Sequence, residues 1–254
     1  MSLHLPEHLV AALANVRSAG VITGPGLSAE SGLRAHFRDH EVYDDPPASD
    51  PLSALGSHSL DVDPARVVEV LRPLAEAAMA AEPNAGHRAI HALAGKLARF
   101  TLMTQNVDGL HERAGDQNPI LVYGDLFTLE CVQCRRTFRY EGAADAWQGP
   151  HTCDGCGADK FRPEVALFGE YLTTIKVLRI GDGFTHDPPD LLLLVGLPTA
   201  WPWVVQPLQA ATAKERLTVE VSERATDLSG QVDFSLRGKA SDWLPLIEAA
   251  IPAK

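Results

Sequence analysis

Positive charge is scarce in this chain. Lysine and arginine number 22 against 33 aspartates and glutamates, a formal net charge of −11 over 254 residues. A surface that negative repels phosphate backbones, so no nucleic-acid partner is expected. Long apolar runs are missing too. The longest spans Leu191 to Leu197, seven residues, against the roughly eighteen that a membrane-spanning helix needs. The opening residues, MSLHLPEHLV, lack the basic segment and apolar stretch of an export signal. The expectation is therefore no membrane partner, a cytoplasmic location and no structural disulfides. Nor does the composition fit disorder, collagen or coiled coil, because hydrophobic residues at 45% and charged residues at 22% are those of an ordinary globular protein.

What is present is an alternation of strands and helices. Leu5 to Ser18 has helical apolar spacing, and Ala19 to Thr23 is a short buried strand that runs into a glycine-rich turn. Ala85 to Leu97 reads as a helix and Phe100 to Thr104 as the strand after it. Strands are also predicted over Pro119 to Tyr123, Leu191 to Val195, Leu217 to Val221 and Val232 to Leu236, with a closing helix over Lys239 to Ala250. The run from Leu191 to Val195 has no polar residue, which suits a parallel strand covered on both faces. The fold class is thus α/β, a doubly wound, Rossmann-type parallel sheet. Two stretches break the rhythm. Residues 39–83 form an acidic, proline-bearing loop and then an alanine-rich helix from about Pro64 to Ala81, and residues 129–160 hold every cysteine. The sheet domain is accordingly assigned to residues 1–38, 84–128 and 161–254, with a helical insert at 39–83 and a zinc module at 129–160.

The four cysteines fall into two matched pairs, Cys131/Cys134 and Cys153/Cys156, with eighteen residues between them. Each pair can sit on a tight knuckle and present two thiolates, and two knuckles make a tetrahedral S₄ site for structural Zn²⁺. Four unrelated thiols or two disulfides are the competing readings. After the first strand comes Gly24-Pro25-Gly26-Leu27-Ser28-Ala29-Glu30-Ser31-Gly32. Such a turn lets backbone approach a pyrophosphate, or it is an ordinary tight turn, since it is not GxGxxG. Gln105, Asn106 and Asp108 follow the strand ending at Thr104, where an open α/β sheet binds ligands. The alternative is a polar turn that caps the next helix.

Together GPGLSAESGL, EPNAGH, TQNVDGLHERAG, the two CxxC pairs and RPEVALFGE resemble the sirtuins, NAD-dependent protein-lysine deacylases and ADP-ribosyltransferases, over about Ala19 to Leu246. The resemblance implies NAD and structural Zn²⁺ as cofactors and an acylated-lysine protein or peptide as partner. It places Gly24, Gly26, Ser28 and Glu30 at the NAD diphosphate and Phe37 and Arg38 at the nicotinamide-ribose side. It puts Gln105, Asn106 and Asp108 around the ribose and nicotinamide, Asn106 also counting as catalytic, and it adds Gly196, Ser222, Lys239 and Ala240 to the cofactor set. Val165, Phe168, Gly169 and Glu170 match the segment that pairs with the acyl peptide. Leu71 and Leu74 stand where the desuccinylase branch carries a Tyr-x-x-Arg, so a neutral acyl chain is expected.

One departure bears on catalysis. The family's general base is the histidine of a His-Gly pair before the first CxxC, and Tyr123-Gly124 stands here. With a pKa of about 10, a tyrosine is protonated at neutral pH and a poor base. The resemblance therefore implies a deacylase of impaired activity. A mono-ADP-ribosyltransferase, an NAD hydrolase or a non-catalytic NAD- or acyl-protein-binding module are the alternatives. Pro25, Leu197, Pro198, Ser222 and Arg224 also depart from the family pattern, which favours natural divergence over a designed knock-out.

Overall fold

The structure, a computed structural model, describes residues 3–33, 55–56, 59, 64–139, 152–198 and 200–253. Its larger sheet is formed by β1 (Ser18–Thr23), β2 (Arg99–Thr104), β3 (Ile120–Leu121), β7 (Leu191–Val195), β8 (Leu217–Ser222) and β9 (Phe234–Arg237). The strands lie in the order β3-β2-β1-β7-β8-β9, every pair parallel. That is the doubly wound order, with its switch point between β1 and β7. A smaller antiparallel sheet, order β5-β4-β6, contains β4 (Gly124–Cys131), β5 (Thr137–Arg139) and β6 (Phe161–Val165). The sequence boundaries drawn at 128 and 161 thus run through the edges of this sheet, since β4 begins at Gly124 and β6 ends at Val165.

β7 explains its own composition. Side chains alternate across a strand. Leu191, Leu193 and Val195 enter the core on one face, and Leu192 and Leu194 enter the core on the other, all fully buried. On the first face they meet α1 (Glu7–Leu13), α4 (Ala85–Lys96) and α8 (Ala240–Ala250) through Leu9, Leu13, Ile90, Leu93, Leu244 and Ile247. On the second they meet α7 (Pro202–Ala213) and Phe184 of a π-helical turn, Gly181–Thr185. Each fully buried leucine contributes about 2 kcal/mol relative to exposure, so a polar residue anywhere in β7 would be costly. A third cluster joins the small sheet to α3 (Pro64–Ala80) through Val67, Leu71, Ala75, Leu126, Phe127 and Val165.

The strand expected over Pro119 to Tyr123 contracts to two residues because the backbone changes sheets there. Val122 N–H still donates to Thr104 O, but Tyr123 O accepts from Ala166 N. The first helix is also shorter than its apolar spacing suggests, ending at Leu13 so that Ser18 can enter β1.

Candidate functional site

The carboxyl ends of five parallel strands gather the expected cofactor residues. Gly24, Gly26 and Ser28 follow β1; Gln105, Asn106 and Asp108 follow β2; Gly196 follows β7. Ser222 ends β8, and Lys239 and Ala240 follow β9. Ligands bind at this edge of an open α/β sheet. α2 (Pro25–Ala29) begins with Pro25 at its first position, where a missing amide proton costs the helix nothing. The turns after β1 and β7 touch directly: Gly24 N donates to Val195 O and Gly26 N to Gly196 O, both at 2.9 Å. A Cβ on Gly26 would lie 2.7 Å from Gly196 Cα. The two glycines of the first turn are therefore required by the packing of one turn on the other, whatever ligand lies above.

The polar side chains of the edge are mostly committed. Asn106 Nδ2 donates to Gly24 O (3.1 Å) and Ser28 Oγ (2.8 Å), tying the β2 turn to the β1 turn. Asp108 Oδ1 accepts from Leu110 N, the first residue of α5 (Leu110–Ala114). Glu30 accepts from Ala240 N (2.7 Å) and Ser241 N (3.2 Å) at the start of α8. Its carboxylate therefore secures a helix across the sheet. Gln105 is the exception. Its Nε2 is buried and makes no hydrogen bond, a state that ordinarily costs about 1–3 kcal/mol. A buried donor left open at the ligand edge fits a ribose or nicotinamide oxygen. Phe37 and Arg38 lie outside the described residues.

The cysteine sulfurs all lie within 4.8 Å of one another, with Cys131 Sγ 3.6 Å from Cys156 Sγ and Cys134 Sγ 3.6 Å from Cys153 Sγ. A disulfide needs about 2.05 Å, so the disulfide reading fails. A tetrahedron of thiolates around zinc at about 2.3 Å has edges of about 3.8 Å. The donor set and its spacing fit a closed structural Zn²⁺ site, which has no open position for catalysis.

Among the residues expected at the catalytic and acyl-peptide positions, Tyr123 lies on the turn between β3 and β4 with its ring edge-on to Trp203, centroids 5.8 Å apart. Gly124 follows at φ 88°, and a Cβ there would sit 1.7 Å from Glu164 O, so the β4–β6 pairing admits only glycine. Leu71, Val165 and Phe168 share the third hydrophobic cluster, and Leu74 packs against it. Phe168 N already donates to Leu55 O (2.8 Å). Glu170 forms a two-pronged pair with Arg162 (2.7 and 2.8 Å) and accepts from Leu167 N. Burial raises the Glu170 pKa, but these bonds and the Arg162 charge outweigh it and hold the carboxyl below its usual range. Glu170 thus braces the loop whose Gly169 turns at φ 83°.

Comparison with known proteins agrees with this geometry. Residues 24–199 match the model of the Sir2 family. The chain is 35% identical to the NAD-dependent protein deacylase of Methylococcus capsulatus, covering 98% of each chain. It is 34% identical to NAD-dependent protein deacylase 2 of Pseudomonas aeruginosa, covering 99% of each. The chain belongs to the Sir2 family. A crystal structure of a Sir2 homolog–NAD complex superposes with a TM-score of 0.82 at 29% identity, covering 98% of this chain and 95% of that one. A Sir2 protein bound to a myristoylated histone peptide gives 0.71 at 25% identity, covering 96% and 94%. No helix among the described residues is long and apolar enough to cross a membrane.

The Sir2 site also contains groups that reading the sequence left without a role. His87, fully buried, ends the EPNAGH motif; Asn84 Oδ1 accepts from Gly86 N and His87 N, while Asn84 Nδ2 reaches Leu27 O (2.8 Å) and Ser31 Oγ (3.0 Å). The motif therefore clamps α4 to the glycine-rich turn. Burial, followed by the charges of His111, Arg88 and Arg113, pushes the His87 pKa down to about 3. His111, Asp116 and Asp125 are likewise buried and hydrogen-bonded. Both histidines belong to the motifs quoted above, but only the fold shows that they are interior.

Proposed function

We propose that this Sir2 protein is a NAD-dependent deacylase of neutral acyl-lysine peptides whose turnover is limited by Tyr123. The reading rests chiefly on the carboxyl edge of the sheet, where the candidate residues converge and Gln105 holds an unspent buried donor. It is supported by relatives named NAD-dependent protein deacylases and by a relative that holds a myristoylated peptide. NAD, when bound, supplies an electrophilic ribose carbon and a nicotinamide leaving group. The residues named here orient it: Asn106 fixes the two turns against each other, and Gln105 Nε2 offers a hydrogen bond. Leu71, Leu74, Val165 and Phe168 offer an apolar wall for the acyl chain, where a succinyl carboxylate would lose its hydration without a partner. Tyr123 takes the family's base position. A phenol there can donate a hydrogen bond but accepts a proton poorly at neutral pH. Loss of a general base lowers rates by roughly 10²–10⁴-fold.

Tyr123→His tests this directly. The variant is expected to deacylate an acetyl- or myristoyl-lysine peptide roughly 10²-fold faster than the wild type under saturating NAD. A wild-type chain already as fast as the variant would remove Tyr123 from the base position. A variant that binds NAD but stays inactive favours a binding module. Nicotinamide release without acyl peptide would point to NAD hydrolysis.

A further inference from the structure

A line of buried hydrogen bonds runs away from the carboxyl edge, and nothing in the proposed reaction uses it. Asn106 N–H donates to Thr104 Oγ1 (3.0 Å), and the hydroxyls of Thr104 and Thr23 share a bond of 2.8 Å. Thr23 Oγ1 lies 2.9 Å from His111 Nε2, and His111 Nδ1 lies 3.0 Å from Asp116 Oδ2. Thr23, Thr104 and His111 are at most 1% exposed, and Asp116 is 5% exposed. Thr23, His111 and Asp116 have the spacing of a nucleophile, its base and the group that orients the base. No substrate can use it that way, since Thr23 is fully buried and bonded on both sides. The direction of the line follows from counting protons. A carboxylate only accepts, so Asp116 keeps the imidazole proton on Nδ1 and leaves Nε2 as an acceptor. Hydroxyl protons rotate to suit: Thr23 donates to Nε2, Thr104 donates to Thr23, and Thr104 is left to accept the Asn106 amide. The opposite direction leaves the Thr104 proton without an acceptor among its bonded partners.

The far end of the line meets a cavity. Asp116 Oδ1 makes no hydrogen bond, and His91 Nδ1 stands 3.5 Å from it. Asp116, His91, Gly115, Ala94 and Phe100 help line a cavity of about 660 Å³ beside β2.

We propose that Asp116 is a positioning residue. Through His111, Thr23 and Thr104 it holds the Asn106 amide, and with it the Gln105–Asn106 turn of the cofactor site. The assignment rests on reading that turn as the NAD site, and the test separates the two. In the wild type, ¹⁵N NMR of the His111 ring is expected to show the proton on Nδ1. In Asp116→Leu, which keeps the bulk of the side chain but offers no acceptor, Nδ1 loses its partner and the proton moves to Nε2, where Thr23 Oγ1 can accept it. Exchange of the Asn106 amide then speeds up at least tenfold, and NAD affinity measured by calorimetry falls about tenfold. Asp116→Ala shows the same losses, and added formate, entering through the cavity, restores amide protection and affinity. An unchanged tautomer and unchanged Asn106 exchange in folded Asp116→Leu would overturn the proposal, as would failure of formate to act on folded Asp116→Ala. A shifted tautomer and fast exchange with unaltered NAD affinity would uphold the line of bonds and overturn the NAD reading of the turn.

Discussion

His87 shows what a single buried group can set. Its ring, carried on α4, is fully buried, with Nδ1 facing Asn84 N–H and the His111 ring edge-on, centroids 4.9 Å apart. In the unfolded chain it protonates near its ordinary pKa of about 6.5, and in the folded one only near about 3. Between those values the unfolded state binds the extra proton. Stability is therefore complete above the upper value and falls as pH drops below it. From pH 7 to pH 5 the loss is about 2 kcal/mol, read as a fall in unfolding free energy by urea titration at each pH. His87→Gln is expected to flatten that slope; an equal slope in the variant would assign it to other groups. Legibility at this scale was uneven. The four cysteines could be assigned from spacing alone because a CxxC pair is a local device. The state of His87 could not, because it depends on His111 and Arg113 being brought to it by the fold.

At the scale of elements, the five apolar residues of β7 announced a strand covered on both faces, and they form one. The neighbouring strand was less readable. Glu220 lies inside β8 with its side chain 3% exposed, a position the pattern would give to an apolar residue. Burial raises its pKa, but hydrogen bonds from Ser235, Thr226 and Ser229 and the charge of Arg237 outweigh that and hold the carboxyl down. Those partners come from a later loop and from β9, beyond the reach of a local pattern. The turns after β1 and β7 repeat the lesson. The glycine-rich turn after β1 reads as a phosphate cradle or a tight turn, and the structure adds a contact that neither reading contains, its packing on Gly196. Gly196 has φ 60°, and a Cβ there would lie 2.5 Å from Leu27 N. Gly196→Ala therefore adds both left-handed backbone strain and a clash with rigid backbone. We expect a loss of at least about 2 kcal/mol in thermal or urea unfolding, accompanied by weaker NAD binding as the two turns separate. A neutral substitution would mean that the turns move apart freely.

The described residues form two sheets of unequal independence. The six-stranded sheet carries buried clusters on both faces. Among the described residues the three-stranded sheet shares one cluster with α3, and the cysteine knuckles stand at its far end, where β4 reaches Cys131. A structural zinc site supplies folding energy of its own, so chelation is expected to remove about one zinc per chain and unfold β4, β5 and β6 first. Hydrogen exchange should then report lost protection there while β1, β2, β7 and β8 stay protected. The functional consequence follows from where the ligands would sit. The proposed NAD residues belong to the carboxyl edge of the large sheet, whereas Val165, Phe168 and Leu71 belong to the cluster that the small sheet completes. Zinc removal should therefore abolish binding of a fluorescent acyl-lysine peptide, read by polarisation, at chelator concentrations that leave NAD affinity by calorimetry within about twofold. Cys131→Ser, which leaves three of the four thiolates, should reproduce the split without chelator. Loss of both affinities together would show that the sheets unfold as one unit, and a folded, untreated sample without metal would remove zinc from the account altogether.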